Sequence, residues 1–423
     1  MQRIFFTIFF LVSLKLLFAN DISVLSKAQQ NFLKTMQEKI ERKDYENAIK
    51  ELEKEIKSNS EAKNYFSYFL LANAYYGNKN INKALENFLL ASNFDSSSLA
   101  INYNIGKIYY EKNDFKNAEK YFKTAMNNIQ QPTKELFQIL ANCYIMQNDL
   151  ILAEQIINKA IFYFPDEIQF RLLLVQIKIA QEEYNEAEAL CKSFLKIFPS
   201  NDDLYLYLAK LKIINKNYDE AISELTKLTY LTNQKNEAFN LLAQLYSQKG
   251  MYKETIQYLT ELKKNKTLTS DELFILAKSY YNIGKYAEAL NCIEKISDKS
   301  EQYEIKILKC KILYEIGNYN EAIKELEKLK NKITNNGEIY LLNGLCYIKI
   351  NNYNAAEKEL EIAKLYNTTR EIAYATLGEI KIYKGEIKEA INLYNEALTI
   401  NPINENYQKI INTLSNWEQT IKK

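Results

Sequence analysis

Because the chain contains no histidine, its carboxylates and its five cysteines are the first residues to consider for acid–base, nucleophilic or metal chemistry. Histidine is the commonest general base at neutral pH and the commonest metal ligand. Neighbouring carboxylates such as Glu182 and Glu183 could serve as a general acid and base. Acidic pairs of this kind recur in turns and along helices throughout the chain, interleaved with lysines, which is typical of a solvated surface. We therefore expect no active site built from paired carboxylates.

The cysteines are scattered along the chain as Cys143, Cys191, Cys292, Cys310 and Cys346. None forms a C-x-x-C pair, and no histidine can complete a zinc ligand set. Cys191 and Cys310 fall at core positions of a helical pattern described below, which favours buried free thiols. A disulfide between Cys292 and Cys310 stays open as the alternative. The sequence predicts no metal site and no cofactor.

The chain also lacks the short motifs that hold phosphates or activate a serine. G-x-x-x-x-G-K-[ST], G-x-G-x-x-G and G-x-S-x-G are all absent. Lysine and arginine total 55 against 53 aspartates and glutamates, so net charge implies no basic face for nucleic acid. We expect a protein that is not an enzyme, and that binds neither nucleic acid nor a small-molecule cofactor.

The N-terminus, MQRIFFTIFFLVSLKLLFAN, has the layout of a secretory signal peptide. Arg3 precedes an apolar run over residues 4–14, and Ala19 offers a cleavage point. We expect a signal peptide at 1–19, a lead-in at 20–28, and an exported bacterial protein, periplasmic or secreted. The alternative is an uncleaved membrane anchor, although Lys15 leaves the run short of the roughly 20 residues that span a bilayer.

The rest of the chain repeats one phrase. NYNEAIKELEKL stands at 318–329 and NYDEAISELTKL at 217–228. Aligning the alanine of this phrase gives eleven copies at intervals of 33 to 36 residues, and such a period indicates a solenoid built from one supersecondary unit. The positions in order are Ala48, Ala84, Ala118, Ala153, Ala187, Ala221, Thr255, Ala289, Ala322, Ala356 and Ala390.

Each copy contains two helical stretches. In residues 168–201, Tyr184, Ala187, Cys191 and Phe194 follow at steps of three and four, which puts them on one helix face. The alanine must be small because another helix crosses there. Four glycines stand before second helices, where glycine can end the first helix in a left-handed cap: Gly250, Gly284, Gly317 and Gly385.

This pattern resembles the tetratricopeptide repeat, a 34-residue helix–turn–helix. Residues 65–98, 134–167 and 371–404 match its motif well, and the resemblance covers 29–404, with a C-terminal capping helix at 405–423. It implies an all-α, right-handed superhelical solenoid of about eleven repeats. It also implies a concave groove lined by the first helices that binds peptides or folded proteins.

Within each repeat we number the positions as slots 1 to 34, with the recurring alanine at slot 20. Slots 4, 7, 8 and 11 of the first helix pack, whereas slots 2, 5, 9 and 12 point away from that stripe. We call the latter the first-helix face. Slot 9 of repeats 2 to 9 holds only amides and lysines: Asn73, Lys107, Asn142, Gln176, Lys210, Gln244, Lys278 and Lys311. Slots 5 and 12 add the aromatic residues Phe69, Tyr103, Tyr110, Phe274, Tyr281 and Tyr314.

Amides and lysines suit a peptide backbone and carboxylates. We therefore expect an acidic or neutral extended polypeptide along this face, with a merely solvated stripe as the alternative. The resemblance favours an exported scaffold for protein partners in envelope assembly or secretion. Two alternative interpretations are a glycan- or peptidoglycan-binding envelope protein, and a scaffold tethered to the membrane by an uncleaved leader.

Overall fold

A computed structural model describes residues 24–129, 131–231, 235–296, 303–333 and 335–421. The expected signal peptide at 1–19 lies outside these residues. The described residues form 23 α-helices and no strand. None of these helices is both long and apolar enough to cross a membrane.

The helices alternate as first and second helices of eleven repeats, followed by a single C-terminal helix. In order they are α1 (Lys27–Glu41), α2 (Tyr45–Ser58), α3 (Tyr65–Gly77), α4 (Ile81–Ser92), α5 (Leu99–Glu111), α6 (Phe115–Asn127), α7 (Lys134–Met146), α8 (Leu150–Tyr163), α9 (Ile168–Ala180), α10 (Tyr184–Ile197), α11 (Asp202–Ile214), α12 (Tyr218–Leu231), α13 (Lys235–Gln248), α14 (Tyr252–Asn265), α15 (Ser270–Asn282), α16 (Tyr286–Glu294), α17 (Tyr303–Glu315), α18 (Tyr319–Lys330), α19 (Gly337–Lys349), α20 (Tyr353–Ala363), α21 (Arg370–Tyr383), α22 (Ile387–Ile400) and α23 (Glu405–Ile421).

The turn between the two helices of a repeat has one backbone form throughout. Slot 15 is left-handed in all eleven repeats, and four of these positions are the glycines expected from the sequence, with φ between 72° and 84°. At Gly284 the turn closes by hydrogen bonds from Gly284 N to Tyr281 O (3.0 Å) and from Lys285 N to Tyr280 O (2.9 Å). These bonds satisfy carbonyls that the end of the helix leaves without partners.

The recurring small residue at slot 20 is buried in every repeat, as expected. All ten alanines and Thr255 are 0 % exposed. Thr255 satisfies its extra hydroxyl within its own helix, because Oγ1 donates to the Met251 carbonyl at 2.9 Å. The small slot of the first helix is equally tight. A Cβ at Gly106 would stand 3.0 Å from the Phe122 ring.

The described residues divide into two compact bodies, an N-terminal body that ends at residue 215 and a C-terminal body that begins at residue 216. The N-terminal body buries cores of aliphatic and aromatic residues between successive helices from α1 to α11. In the C-terminal body, α23 packs Ile411 and Leu414 against Ala390, Tyr394 and Ala397. The C-terminal helix thus covers the apolar side of the last repeat.

Candidate binding face of the first helices

Several of the residues expected to line the binding face are part of the core in the N-terminal body. Phe69 is 1 % exposed and meets the Phe88 ring edge-on at 5.6 Å. Tyr103 is 6 % exposed and meets Phe122 in the same way at 5.6 Å. Asn73 is 1 % exposed and donates from Nδ2 to the Phe69 carbonyl at 2.8 Å. The sequence-based placement of these three side chains on an open face is therefore wrong.

Lys107 is also buried, at 6 % exposure. Its Nζ lies 4.7 Å from the centre of the Tyr76 ring, a residue of the preceding repeat. The Tyr76 hydroxyl in turn donates to Glu111 Oε1 at 2.6 Å. Burial lowers the pKa of the Lys107 ammonium, and burial together with Glu111 raises the pKa of Tyr76. Lys107 therefore joins two repeats, in contrast to the expected contact with a ligand carboxylate.

The remaining predicted residues of the N-terminal body are accessible to different degrees. Gln176 is exposed, and its Nε2 donates to the hydroxyl of Tyr207. Tyr110 is half-buried against Phe115, with ring centres 5.4 Å apart. Asn142 and Lys210 are half-buried as well. The accessible part of this face is thus a row of amide and tyrosine groups.

In the C-terminal body more of the predicted face is open. Lys278 is exposed, and Gln244, Phe274, Tyr281 and Tyr314 are half-buried. Tyr281 and Tyr314 each rest against the tyrosine that opens the second helix of their repeat. The ring centres of the pairs Tyr281–Tyr286 and Tyr314–Tyr319 are both 5.6 Å apart. These packed tyrosines present ring edges and hydroxyl groups at fixed positions.

Lys311 is already paired by the protein. Its Nζ lies 2.6 Å from Glu338 Oε1, at slot 2 of the next repeat. Slot 9 of one repeat is therefore beside slot 2 of the repeat that follows. A lysine expected to attract a ligand carboxylate has its charge compensated within the chain.

The contact between Lys311 and Glu338 points to acidic residues that sequence reasoning missed. In the C-terminal body, slot 2 is acidic in repeats 7 to 10, slot 13 is acidic in repeat 9, and slot 9 is acidic in repeat 11; these residues are Glu237, Asp271, Glu304, Glu338, Glu315 and Glu379. The signal was present in the sequence. Reading slots 2 and 13 together with slot 9 would have shown it.

A second missed feature is a lysine at slot 11, where the repeat motif has tyrosine or a large apolar residue. Lys178 Nζ lies 2.6 Å from Glu183, 3.0 Å from Glu186 and 3.0 Å from Glu154 of the preceding repeat. Lys381 repeats the arrangement in the C-terminal body with Glu357, Glu386 and Glu389. These lysines hold neighbouring repeats together.

The described residues do not bring metal-binding side chains together into a site. Among them, no three histidine, cysteine, aspartate or glutamate side chains lie close enough to share a metal ion. All five cysteines are free thiols, and four of them are buried.

Models of the tetratricopeptide repeat match residues 178–245, and also residues 99–130 and 372–404. A model described as subunit 3 of the anaphase-promoting complex, cyclosome, matches residues 214–296. These matches identify tetratricopeptide repeats in this chain, in agreement with the recurring helix pairs and their buried alanines. The predicted all-α solenoid fold is confirmed.

Solved structures with a similar fold are distant in sequence. Naa15/Naa10 bound to HypK-THB is 15 % identical, with 90 % of this chain and 65 % of that chain covered and a TM-score of 0.45. The hetero-tetramer Cut9–Hcn1 is 13 % identical, with coverage of 92 % and 96 % and a TM-score of 0.41. YrrB, described as having an unusual peptide-binding site, is 19 % identical, with coverage of 45 % and 96 % and a TM-score of 0.36. The chain thus spans about two thirds of the length of the first of these. No curated protein matches the chain significantly.

Proposed function

We propose that the protein is an exported, non-enzymatic scaffold that binds extended polypeptide segments along its first-helix faces. The observation that carries this proposal is the row of partly exposed groups at slots 5, 9 and 12 of repeats 7 and 8 and at slots 9 and 12 of repeat 9, which includes Phe274, Lys278 and Tyr281. Equivalent slots recur at the interval of one repeat, so the groups form a ladder along the stack. An extended chain can meet such a ladder with backbone groups and alternate side chains.

A glycan platform is a less suitable interpretation of the aromatic residues. Sugar stacking requires open ring faces, whereas Phe69 and Tyr103 pack against core rings. Tyr281 and Tyr314 likewise lean on neighbouring tyrosines. Their exposed hydroxyl groups and ring edges suit the amides and side chains of a peptide better.

A bulky substitution that blocks the first-helix face tests whether peptides bind there. Lys278 is exposed on the first-helix face, and Lys263 is exposed on the second helix α14. Linear peptides would be selected on the wild-type protein from a random library and their affinities measured by fluorescence anisotropy. We expect Lys278→Trp to weaken binding at least tenfold by occluding the ladder, and Lys263→Trp to leave it unchanged. Equal affinities for the two variants, or no selectable peptide, would refute the proposal.

Export is proposed from the leader at residues 1–19. A positive start, an apolar run and a small residue at Ala19 form the pattern that signal peptidase recognises. The intact mass of protein recovered from the producing cell should lack about the first 19 residues. An intact N-terminus in the membrane fraction would support the tethered alternative.

A further inference from the structure

The first-helix face of the C-terminal body has an excess of uncompensated negative charge. At slots 2 and 9 of this face and at the neighbouring slot 13, its acidic residues other than Glu338 are Glu237, Asp271, Glu304, Glu315 and Glu379. The corresponding lysines are Lys278 and Lys349. Lys311 and Glu338 compensate each other at 2.6 Å. Five acidic groups against two basic groups leave these slots with three net negative charges.

Glu379 is the most distinctive of these carboxylates. It is exposed on α21, at slot 9 of the last repeat, yet the surrounding protein displaces enough of its hydration to raise the pKa of its carboxyl group. Lys349 acts in the opposite direction without forming an ion pair within 4.0 Å among the described residues. A partly desolvated carboxylate that lacks a close cation is a strong point of attraction for one.

The surroundings of Glu379 are aromatic. Tyr394 packs closely against α21 at Gly378, the residue before Glu379. A Cβ added at Gly378 would stand 2.8 Å from Tyr394 Cε2. Tyr407 lies next to Tyr394, with ring centres 5.8 Å apart. Burial raises the pKa of Tyr394 to about 12, and the charge of Glu379 contributes to that shift. These tyrosines keep their protons at neutral pH, so they add no competing negative charge and can donate hydrogen bonds.

Tyrosines also line the path towards Glu379 on the preceding repeats. Tyr281 and Tyr314 are half-buried at slot 12 of repeats 8 and 9, and Glu315 stands exposed beside Tyr314 in sequence. A guanidinium group can donate hydrogen bonds to a tyrosine hydroxyl and bind a carboxylate through two parallel N–H groups. Alternating tyrosines and carboxylates are therefore suited to arginine side chains of an extended chain.

We propose that the first-helix face of the C-terminal body binds an arginine-containing extended polypeptide, with Glu379 pairing to one guanidinium group. This inference rests on the proposed function and specifies its ligand class. The lysines at slot 9 alone predicted an acidic or neutral ligand, whereas the ligand proposed here is basic. The difference arises because acidic residues of slots 2 and 13 lie beside the lysines of slot 9. Electrostatic attraction of this kind weakens as salt is added.

The test compares two labelled probes on the full chain: a short peptide of alternating arginine and serine, and the same peptide with glutamate in place of arginine. We expect the arginine probe to bind in a salt-dependent manner and the glutamate probe to bind at least tenfold more weakly. Glu379→Gln should weaken the arginine probe about tenfold, the loss of one charge-assisted contact. Glu396→Gln removes the same charge from an exposed site on the second helix of the same repeat and should change nothing.

Glu315→Gln repeats the test at a second exposed carboxylate, and thermal melts establish that each variant is folded. Equal affinities for Glu379→Gln and Glu396→Gln overturn the assignment of the cation to Glu379. Tighter binding of the glutamate probe overturns the ligand class. If selected peptides bind and are blocked by Lys278→Trp while the arginine probe fails, the inference falls and the proposed function stands. If no peptide of any charge binds, both fall.

Discussion

Lys107 Nζ lies 4.7 Å above the Tyr76 ring, and the Tyr76 hydroxyl donates to Glu111 at 2.6 Å. A lysine at slot 9 of one repeat is thereby held by an aromatic residue at slot 12 of the repeat before it. The ammonium group has exchanged water for a ring face and a nearby carboxylate, an arrangement that stabilises a buried cation. Its role is to join repeats 2 and 3.

This contact predicts that lysines at the same slot differ sharply in their contribution to stability. Lys107→Glu places a carboxylate at a buried site next to Glu111, and we expect it to lower the free energy of unfolding by about 3 kcal/mol. Lys278→Glu changes an exposed residue and should cost less than about 0.5 kcal/mol. Urea denaturation followed by circular dichroism measures both. Similar midpoints for the two variants would contradict the burial of Lys107.

The sequence predicted the positions of the turns and of the small residues, and it missed how deeply the packing of neighbouring helices buries other side chains. The alanine at slot 20 and the glycine at slot 15 follow from steric limits within one repeat, so Ala187 and Gly284 were placed correctly. The burial of Phe69 depends on Phe88 in the second helix of the same repeat, and the burial of Lys107 depends on Tyr76 of the preceding repeat. Helical periodicity predicts the direction in which a side chain points, but it does not predict how much of that side chain the neighbouring helices bury.

The crossing at the recurring alanine should tolerate no larger residue. Ala187 is 0 % exposed, and Ala187→Lys forces both bulk and charge into that contact. We expect a loss of several kcal/mol in the free energy of unfolding. The control is Lys192→Ala, which removes a surface ion pair to Glu188 (2.6 Å) and should cost less than about 1 kcal/mol. Hydrogen exchange should show damage spreading first to adjacent repeats, and equal midpoints would show that the repeat register is wrong.

The cysteines should differ in reactivity. Cys143, Cys191, Cys310 and Cys346 are buried, and burial raises the pKa of each thiol to about 12, which suppresses the reactive thiolate. Cys292 is only half-buried. We expect a thiol reagent to modify one cysteine readily in the native protein and all five in urea. If only three of the five cysteines react in urea, the other two are joined in a disulfide, which would support the alternative pair Cys292–Cys310.

Stability should be nearly constant across neutral pH, because the chain has no histidine. Burial opposes the charge of Glu188, but hydrogen bonds from Lys192 and Lys212 outweigh it and lower the pKa of the carboxyl group. A carboxyl pKa below its unfolded value of about 4.3 gives stability that is present above that pH and lost as the pH falls through the folded value. Urea midpoints should be level from about pH 6 to 9 and fall below about pH 4.5, less steeply in Glu188→Gln. A transition centred near pH 6.5 would contradict this account.

Lys178, the lysine at slot 11, should contribute more to the free energy of unfolding than any surface lysine. Burial disfavours the charge of Lys178, but Glu183, Glu154 and Glu186 outweigh it and raise the pKa of the ammonium group. Lys178→Met leaves these carboxylates without their shared cation, and we expect a loss of about 3 kcal/mol at neutral pH. Lys159→Met, at an exposed site on α8, is the matched control and should cost less than about 0.5 kcal/mol.

The pH dependence of the Lys178→Met effect separates an ion-pair role from a packing role. Because the folded pKa of Lys178 is raised, its contribution is fully present below the unfolded value of about 10.4 and is lost as the pH rises through the folded value. At acid pH the carboxylates of Glu154, Glu183 and Glu186 take up protons, so the lysine no longer has charges to compensate. The difference in free energy of unfolding between wild type and Lys178→Met should therefore be largest near neutral pH and narrow towards both about pH 4 and about pH 11. A difference that stays constant over this range would mean that Lys178 acts through the packing of its methylene groups alone.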